Sequence, residues 1–221
     1  MTQDRRRIYL MRHAQVRYFE GRHPEDVVLT EEGRGQAEAA AGALRDVRFD
    51  RVITSGLARA EETARIVAPG KVAEARYALR EIESGDIRGL APEEVQAMMT
   101  KAFRGVVPLE SRFLGGETIG ALFARVLPEI DELVASGDWD VALLVLHGGV
   151  NRAILGYALT GDHVFLGGFE QAPGCINVLD VGPSGWIVRS VAQLPYDPAH
   201  ARQLRLTTME QLWQEYLGSR R

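Results

Sequence analysis

Two histidines and two arginines lie just beyond three short apolar runs in this sequence. They are Arg12, His13, Arg59 and His147. Short runs without polar alternation are typical of strands that are covered on both faces of a sheet. The carboxyl ends of parallel strands meet at one edge of an open α/β sheet, which is where such sheets bind ligands. The sequence therefore predicts that these four side chains lie together although they are far apart in the chain.

The chemistry that suits this set is phosphoryl transfer. Arg12 and Arg59 can present donors to the equatorial oxygens of a phosphoryl group, which carry charge through the transition state. A neutral imidazole can attack phosphorus and form a covalent phosphohistidine, which splits one displacement into two easier ones. The second histidine can donate to the same oxygens. A carboxylic acid must protonate the departing alkoxide and later deprotonate water.

Plainer interpretations of the same residues exist. An Arg-His pair at a strand end can be a surface or capping pair, and the turn at His147-Gly148-Gly149 can be a connection without chemistry. Histidines also bind zinc. However, no His-x-His or Cys-x-x-Cys spacing occurs, and the neighbouring arginines would repel a dication. No metal site and no cofactor are predicted. The coincidence at three strand ends favours a phosphoryl site over each alternative.

The overall charge bears on the class of partner. The 221 residues carry a formal net charge of -4 and a pI near 5.8, so the chain has no general attraction to nucleic acid or to an anionic membrane. A hydrophobic fraction of 46% and a charged fraction of 25% exclude a wholly disordered, collagen-like or coiled-coil chain. A phosphate site must then be a short-range positive pocket. That favours a small phosphorylated metabolite over a polyanion.

Sequence signals for compartment point to the cytoplasm. Cys175 is the only cysteine, so no intrachain disulfide can form. The apolar run at 8–11 is too short for the core of a signal peptide, and no stretch approaches the length of a membrane span. We therefore expect a cytoplasmic protein.

The elements that must position these residues follow from hydrophobic periodicity and capping signals. Strands are predicted at 8–11, 51–54, 72–79 and 141–146, with a hairpin formed by 175–181 and 186–192. Helices are predicted at 36–44 behind the N-cap Thr30, and at 59–67, 92–103, 118–136, 151–159 and 207–217. This alternation predicts a three-layer α/β/α sandwich with a mostly parallel central sheet and an antiparallel edge.

We expect a single domain over 1–221, with 90–115 as a cap insertion and 196–221 as a C-terminal helical tail. The sequence leaves open whether this tail covers the sheet or pairs with a second copy in a homodimer.

Six segments in order resemble the histidine phosphatase superfamily, which has the phosphoglycerate mutase-like fold. Arg12-His13-Ala14 resembles the Arg-His-Gly signature that follows the first strand of the family, with Ala in the Gly position. The other five segments are 29–37, 55–64, 79–89, 115–118 and 146–152. One triplet is a weak signal, whereas six elements in the family's order are a strong one.

The resemblance implies a role for each matching residue. His13 is the nucleophile, Arg12 and Arg59 clamp the phosphoryl oxygens, and His147 donates to the same oxygens. Glu81 is the general acid and base, with Glu83 as a rival carboxylate nearby. Residues expected to contact substrate are Gln15, Arg17, Arg22 and Gly148.

Departures from the family pattern favour the phosphatase branch. The chain lacks the Trp-Asn pair that glycolytic mutases carry after the triplet, and 90–115 lacks their longer basic insertion. Many members have Trp-Glu before the second glycine of the acid-bearing loop, where this chain has Ile87-Arg88-Gly89. A phosphatase acting on a phosphomonoester is therefore predicted. A cofactor-dependent mutase, a phosphoprotein phosphatase and a non-catalytic phosphate-recognition module are the alternatives left open.

Overall fold

The computed structural model describes residues 5–19 and 26–220. The strands in these ranges are β1 (Arg6–Arg12), β2 (Arg51–Thr54), β3 (Glu74–Ala75), β4 (Val106–Val107), β5 (Val141–Leu146), β6 (Phe165–Leu166), β7 (Ile176–Gly182) and β8 (Gly185–Gln193). The helices are α1 (Glu31–Ala43), α2 (Ala58–Val67), α3 (Pro92–Lys101), α4 (Ile119–Ser136), α5 (Gly148–Thr160) and α6 (Thr208–Ser219). No helix in these ranges is long and apolar enough to cross a bilayer.

The central sheet has six strands in the order β3-β2-β5-β1-β7-β8. The first four are parallel, whereas β7 runs antiparallel to β1 and β8 antiparallel to β7. The predicted mostly parallel sheet with an antiparallel hairpin at its edge is confirmed. In the β1–β5 register Arg12 lies opposite Leu146, so the residues after β1 and after β5 leave the sheet side by side.

Helices cover the sheet on both faces, which confirms the three layers. Alternate residues of β5 enter two different apolar clusters, as the two-residue period of a strand requires. Leu144 packs with α4 and α5, while Leu143 packs with α1 and α2. The predicted apolar stripe of α4 is buried along its length. Thr30 caps α1 as expected, because its hydroxyl accepts the Gly33 N–H at 2.9 Å.

The predicted strand at 72–79 is wrong in extent. Only Glu74 and Ala75 pair with β2, and Tyr77–Leu79 forms a turn of 3-10 helix. The apolar residues of this segment are not one buried strand face, since Val72 is 94% and Tyr77 64% exposed. Helix α5 begins at Gly148, three residues before the predicted start, so it follows His147 directly.

Helices α3 and α6 pack against each other beside the main body of the fold. Their shared cluster contains Val95 and Met99 of α3 with Met209 and Tyr216 of α6. The predicted C-terminal helix therefore covers α3 and does not cover the central sheet. Its packing also reaches the segment after β1, because Phe19 lies against the same cluster.

Candidate active site

His13 is fully buried at the carboxyl end of β1. Its backbone N–H donates to the Leu146 carbonyl at 2.9 Å, which ties it to the end of β5. Its Nδ1 lies 2.7 Å from the Ala14 carbonyl oxygen. A carbonyl only accepts hydrogen bonds, so Nδ1 carries the proton of the neutral ring and Nε2 keeps the lone pair. Nε2 lies 3.1 Å from the hydroxyl oxygen of Tyr18.

The surroundings of His13 favour its neutral form. Burial lowers the pKa of His13 well below its usual 6.5, and the nearby Arg59, His147 and Arg12 lower it further. Among the protein's own groups the balance favours the neutral, nucleophilic imidazole.

His147 lies beside His13, with the two ring centroids 5.2 Å apart. Its Nε2 is 2.7 Å from the Ser55 hydroxyl, while its Nδ1 is buried without a hydrogen-bond partner in the part of the chain that the structure describes. When Ser55 donates to Nε2, the ring proton resides on Nδ1 and forms an unused buried donor. Burial, then Arg59 and Arg12, lower the pKa of His147 well below 6.5. An incoming anion would satisfy that donor.

Both predicted arginines are buried in the same cluster, with 8% of Arg12 and 4% of Arg59 exposed. Arg12 Nη1 donates to the Gln171 carbonyl at 2.5 Å, and its Nε has no hydrogen-bond partner in the described ranges. Burial lowers the pKa of Arg12, but Tyr18 and Glu81 outweigh it and raise the pKa overall. Arg59 sits in the first turn of α2, with its guanidinium carbon 5.6 Å from the Tyr18 ring centroid.

Glu81 follows the 3-10 turn and points to the start of α5. Its Oε1 accepts the backbone N–H of Ile82 and of Gly149, both at 3.0 Å. A methyl group built on Gly148 would lie 3.7 Å from both Arg12 Nε and Glu81 Oε2. The carboxylate and the guanidinium therefore border the same space beside Gly148. The structure brings together His13, His147, Arg12, Arg59, Glu81 and Gly148 as predicted neighbours.

The N-terminus of α5 holds the Glu81 carboxylate, because the Gly149 N–H donates to it. The helix start therefore orients the candidate acid, because a carboxylate accepts readily at a helix N-terminus.

The remaining candidates occupy other positions. The Gln15 amide bonds to the Thr30 hydroxyl and the Glu32 carboxylate, at the start of α1. Arg17 is exposed, and Arg22 lies outside the described residues. The rival carboxylate Glu83 is exposed, and its backbone N–H donates to Glu117.

Arg125 supports the segment that carries Glu81, a role that sequence reasoning missed. Its guanidinium forms a two-point ion pair with Glu117, at 2.7 and 2.8 Å. It also donates to the backbone carbonyls of Ala78, Arg80 and Glu81 at 2.6, 2.7 and 3.2 Å. Glu117 belongs to the Gly-Gly-Glu-Thr segment noted in the sequence, but nothing local to Arg125 signals the carbonyls that it binds.

A buried amide pair behind Arg12 was also missed. The Gln171 and Asn177 side chains exchange hydrogen bonds of 3.0 and 2.9 Å. Asn177 also donates to the Leu10 carbonyl at 2.8 Å, while the Gln171 carbonyl accepts from Arg12. All of these amide groups are buried, so the network fixes the Arg12 side chain from the side of β7.

Within residues 5–19 and 26–220, no group of three or more His, Cys, Asp or Glu side chains could hold a metal ion.

Lowering the pH below neutrality should destabilise the fold, because His13 and His147 are both buried as neutral rings. Their folded-state pKa values lie well below 6.5, whereas an unfolded chain binds these protons near pH 6.5. The unfolded state therefore gains protons first as the pH falls. The stability that is present above pH 6.5 is lost progressively below it.

The melting temperature as a function of pH measures this loss. His147→Gln should flatten the curve, while His200→Gln, at an exposed position, should leave it unchanged. An equally steep dependence of melting temperature on pH in His147→Gln would contradict the conclusion that His147 is buried as a neutral ring.

Known proteins match the part of the chain that carries these site residues. The family model of the histidine phosphatase superfamily (branch 1) matches residues 8–193. Adenosylcobalamin/alpha-ribazole phosphatase of Salmonella typhimurium is 31% identical over 189 residues, which cover 79% of this chain and 90% of that protein. Glucosyl-3-phosphoglycerate phosphatase of Mycobacterium tuberculosis is 34% identical over 164 residues, which cover 67% of this chain and 73% of that protein.

A solved structure agrees with these sequence relatives. Mycobacterial glucosyl-3-phosphoglycerate phosphatase in complex with VO3 superimposes with a TM-score of 0.70 at 29% identity, covering 85% of this chain and 98% of that one.

Proposed function

This chain belongs to the histidine phosphatase superfamily (branch 1), and on that basis we propose that it hydrolyses a phosphomonoester through a covalent phosphohistidine on His13. It is a phosphoric monoester hydrolase, as its phosphatase relatives are. The observation that carries the mechanism is the state of the His13 ring. Its Nδ1 proton is committed to the Ala14 carbonyl, so a lone pair stays on Nε2 within a buried cationic cluster.

In the first step, His13 Nε2 attacks phosphorus and the ester P–O bond breaks. Arg12 and Arg59 hold the equatorial oxygens, and the unused Nδ1–H of His147 donates to them. Glu81 in its acid form transfers a proton to the departing oxygen, so the alcohol leaves neutral. The products are the free alcohol, a phosphohistidine and the Glu81 carboxylate.

In the second step, the Glu81 carboxylate takes a proton from a water molecule that attacks the phosphohistidine. The N–P bond breaks, inorganic phosphate forms, and His13 returns to its neutral state. The backbone N–H groups of Ile82 and Gly149 donate to the Glu81 carboxylate. They would hold it in place after the first step, which supports its role as the base in the second. No metal or cofactor takes part in either step.

The proposed substrate is a small phosphorylated metabolite. The sequence relatives are named for alpha-ribazole and for glucosyl-3-phosphoglycerate, two unlike small molecules. The net charge of -4 supports a short-range positive pocket over a surface that attracts polyanions.

Hydrolysis of p-nitrophenyl phosphate in the presence of EDTA tests the proposal, followed by a screen of phosphorylated metabolites. EDTA-resistant release of phosphate is the expected result. Conversion of 3-phosphoglycerate to 2-phosphoglycerate with a bisphosphate requirement would replace the phosphatase with a mutase. Phosphate binding without hydrolysis of any ester would replace it with a recognition module.

Gly149→Ala should lower kcat/KM by about 10- to 100-fold while the fold stays intact. A methyl group at this position would lie 2.7 Å from Glu81 Oε1, so the carboxylate must move from its place. The methyl group would also lie 3.0 Å from Cγ2 of the buried Ile82, so this side chain must shift by a few tenths of an ångström and a modest cost in stability is expected.

Gly42→Ala is the matched control, because nothing lies within 4 Å of the added methyl group. It should keep full activity and raise the free energy of unfolding by about 0.5–1 kcal/mol. Steady-state kinetics and urea unfolding of both variants measure these effects. Full activity in Gly149→Ala would show that Glu81 does not need this position.

A further inference from the structure

The hydroxyl of Tyr18 contacts the atom of His13 that would attack phosphorus. The two atoms are 3.1 Å apart. Since the Nδ1 proton is donated to the Ala14 carbonyl, Nε2 can only accept, and the Tyr18 O–H is the donor. The lone pair that receives this hydrogen bond is the one that attack requires. The contact and the reaction therefore exclude each other.

The ring of Tyr18 also lies against one of the two arginines. The Arg59 guanidinium carbon is 5.6 Å from the Tyr18 ring centroid, within the range of a cation–π contact. Burial lowers the pKa of Arg12, and Tyr18 makes the largest contribution that raises it. The Tyr18 oxygen is 3.1 Å from the nucleophilic nitrogen and belongs to a ring that lies against Arg59, so it occupies the place where the phosphoryl group would bind.

The segment that carries Tyr18 is anchored from outside the site. The ring of Phe19, the next residue, contacts the Tyr216 ring of α6 with centroids 5.4 Å apart. The Phe19 N–H donates to the Glu215 carboxylate, also on α6, at 3.2 Å. Helix α6 therefore holds the backbone beside Tyr18 in the position that brings the hydroxyl to His13.

We propose that Tyr18 is an internal competitor of the substrate, whose hydroxyl occupies the phosphoryl site on His13 and must leave before an ester can react. The inference rests on the proposed function, because it takes His13 as the nucleophile. A site that is open for only a fraction of the time binds its ligand more weakly by that fraction. If one hydrogen bond of ordinary net strength holds Tyr18 in the site, the affinity for phosphate is about three- to tenfold lower than in an open site.

Tyr18→Phe tests this role because it removes the hydroxyl and keeps the ring on Arg59. Calorimetric titration with inorganic phosphate should show binding that is about three- to tenfold tighter than in the wild type. In turnover of p-nitrophenyl phosphate, KM should fall by a similar factor while kcat stays within about twofold. Phosphate binding that is unchanged or weaker would overturn the proposal. Loss of a hydroxyl that itself binds phosphate would weaken binding, and loss of a purely structural hydroxyl would leave it unchanged or weaker.

Two further variants complete the comparison. Phe19→Ala keeps the hydroxyl and the backbone hydrogen bond to Glu215 but removes the ring contact with Tyr216 of α6, so it should tighten phosphate binding in the same direction. Tyr157→Phe, whose ring packs on Trp186 away from the site, is the matched control and should bind phosphate as the wild type does. Weaker binding in Phe19→Ala would contradict the anchoring step.

The titration measures phosphate binding without turnover. Its result therefore tests the competitor role of Tyr18 independently of whether the protein hydrolyses an ester. A wild-type chain that binds phosphate but hydrolyses no ester would refute the function and leave the comparison of variants valid. A working phosphatase whose Tyr18→Phe variant binds phosphate no more tightly would refute only the competitor role.

Discussion

His13→Ala should lower turnover by at least about 10³-fold and abolish the phosphoenzyme. The alanine removes the nitrogen that forms the covalent intermediate in the proposed mechanism. The remaining cationic cluster can still bind phosphate, so KM should change much less than kcat. Arg12, Arg59 and His147 would then stabilise a direct attack by water only weakly.

Trapping of the intermediate measures this effect directly. The wild type, quenched in alkali during turnover of a 32P-labelled ester, should retain label that is stable in alkali and lost in acid, as expected of an N–P bond. His163→Ala, at an exposed position, is the matched control and should keep both label and activity. Retention of more than a few per cent of wild-type turnover in His13→Ala would remove the nucleophile assignment.

Glu81→Gln should separate the two proton transfers. The amide has the shape of the carboxylate, and its carbonyl oxygen can still accept from Ile82 and Gly149. It can neither give a proton to the leaving group nor take one from water. For an alkyl phosphate, whose alkoxide needs a proton, we expect a loss of about 10²- to 10⁴-fold in kcat/KM.

An aryl phosphate should behave differently in the same variant, because nitrophenolate leaves without a proton. Stopped-flow measurement should show a burst of about one nitrophenol per site, then slow steady-state release as the phosphohistidine waits for water. Glu83→Gln is the control, since Glu83 is exposed, and it should keep wild-type rates. If Glu83→Gln lost activity and Glu81→Gln kept it, the acid would have to be reassigned.

The central part of the site follows from local sequence signals. The run at 141–146 is apolar throughout, and the structure places a strand over those same residues between β2 and β1. Once the strands are recognised, the chemistry-bearing residues that follow them must meet at one edge. The grouping of His13 with His147 needed no further information.

Gln15 illustrates the limit of this reasoning. It directly follows the Arg-His-Ala triplet, and its expected contact with substrate stays a prediction. In the folded chain its amide bonds to Thr30 and Glu32 because α1 begins beside it. Which of two nearby partners a polar side chain takes depends on packing between elements, and periodicity carries no signal of that choice.

The sequence by itself determined the order of the central-sheet strands and of the helices, the N-cap of α1 and the set of residues at the strand ends, since each depends on neighbours within a few positions. The short strands β4 and β6 were not predicted. Tertiary structure decided the rest. The Arg125 guanidinium binds carbonyls more than forty positions away, and Asn177 reaches the Leu10 carbonyl across the β1–β7 pair. Tyr18 contacts His13 from a segment that α6 anchors through Phe19. Such contacts join segments that only the packed fold brings within hydrogen-bond distance, so no local pattern encodes them.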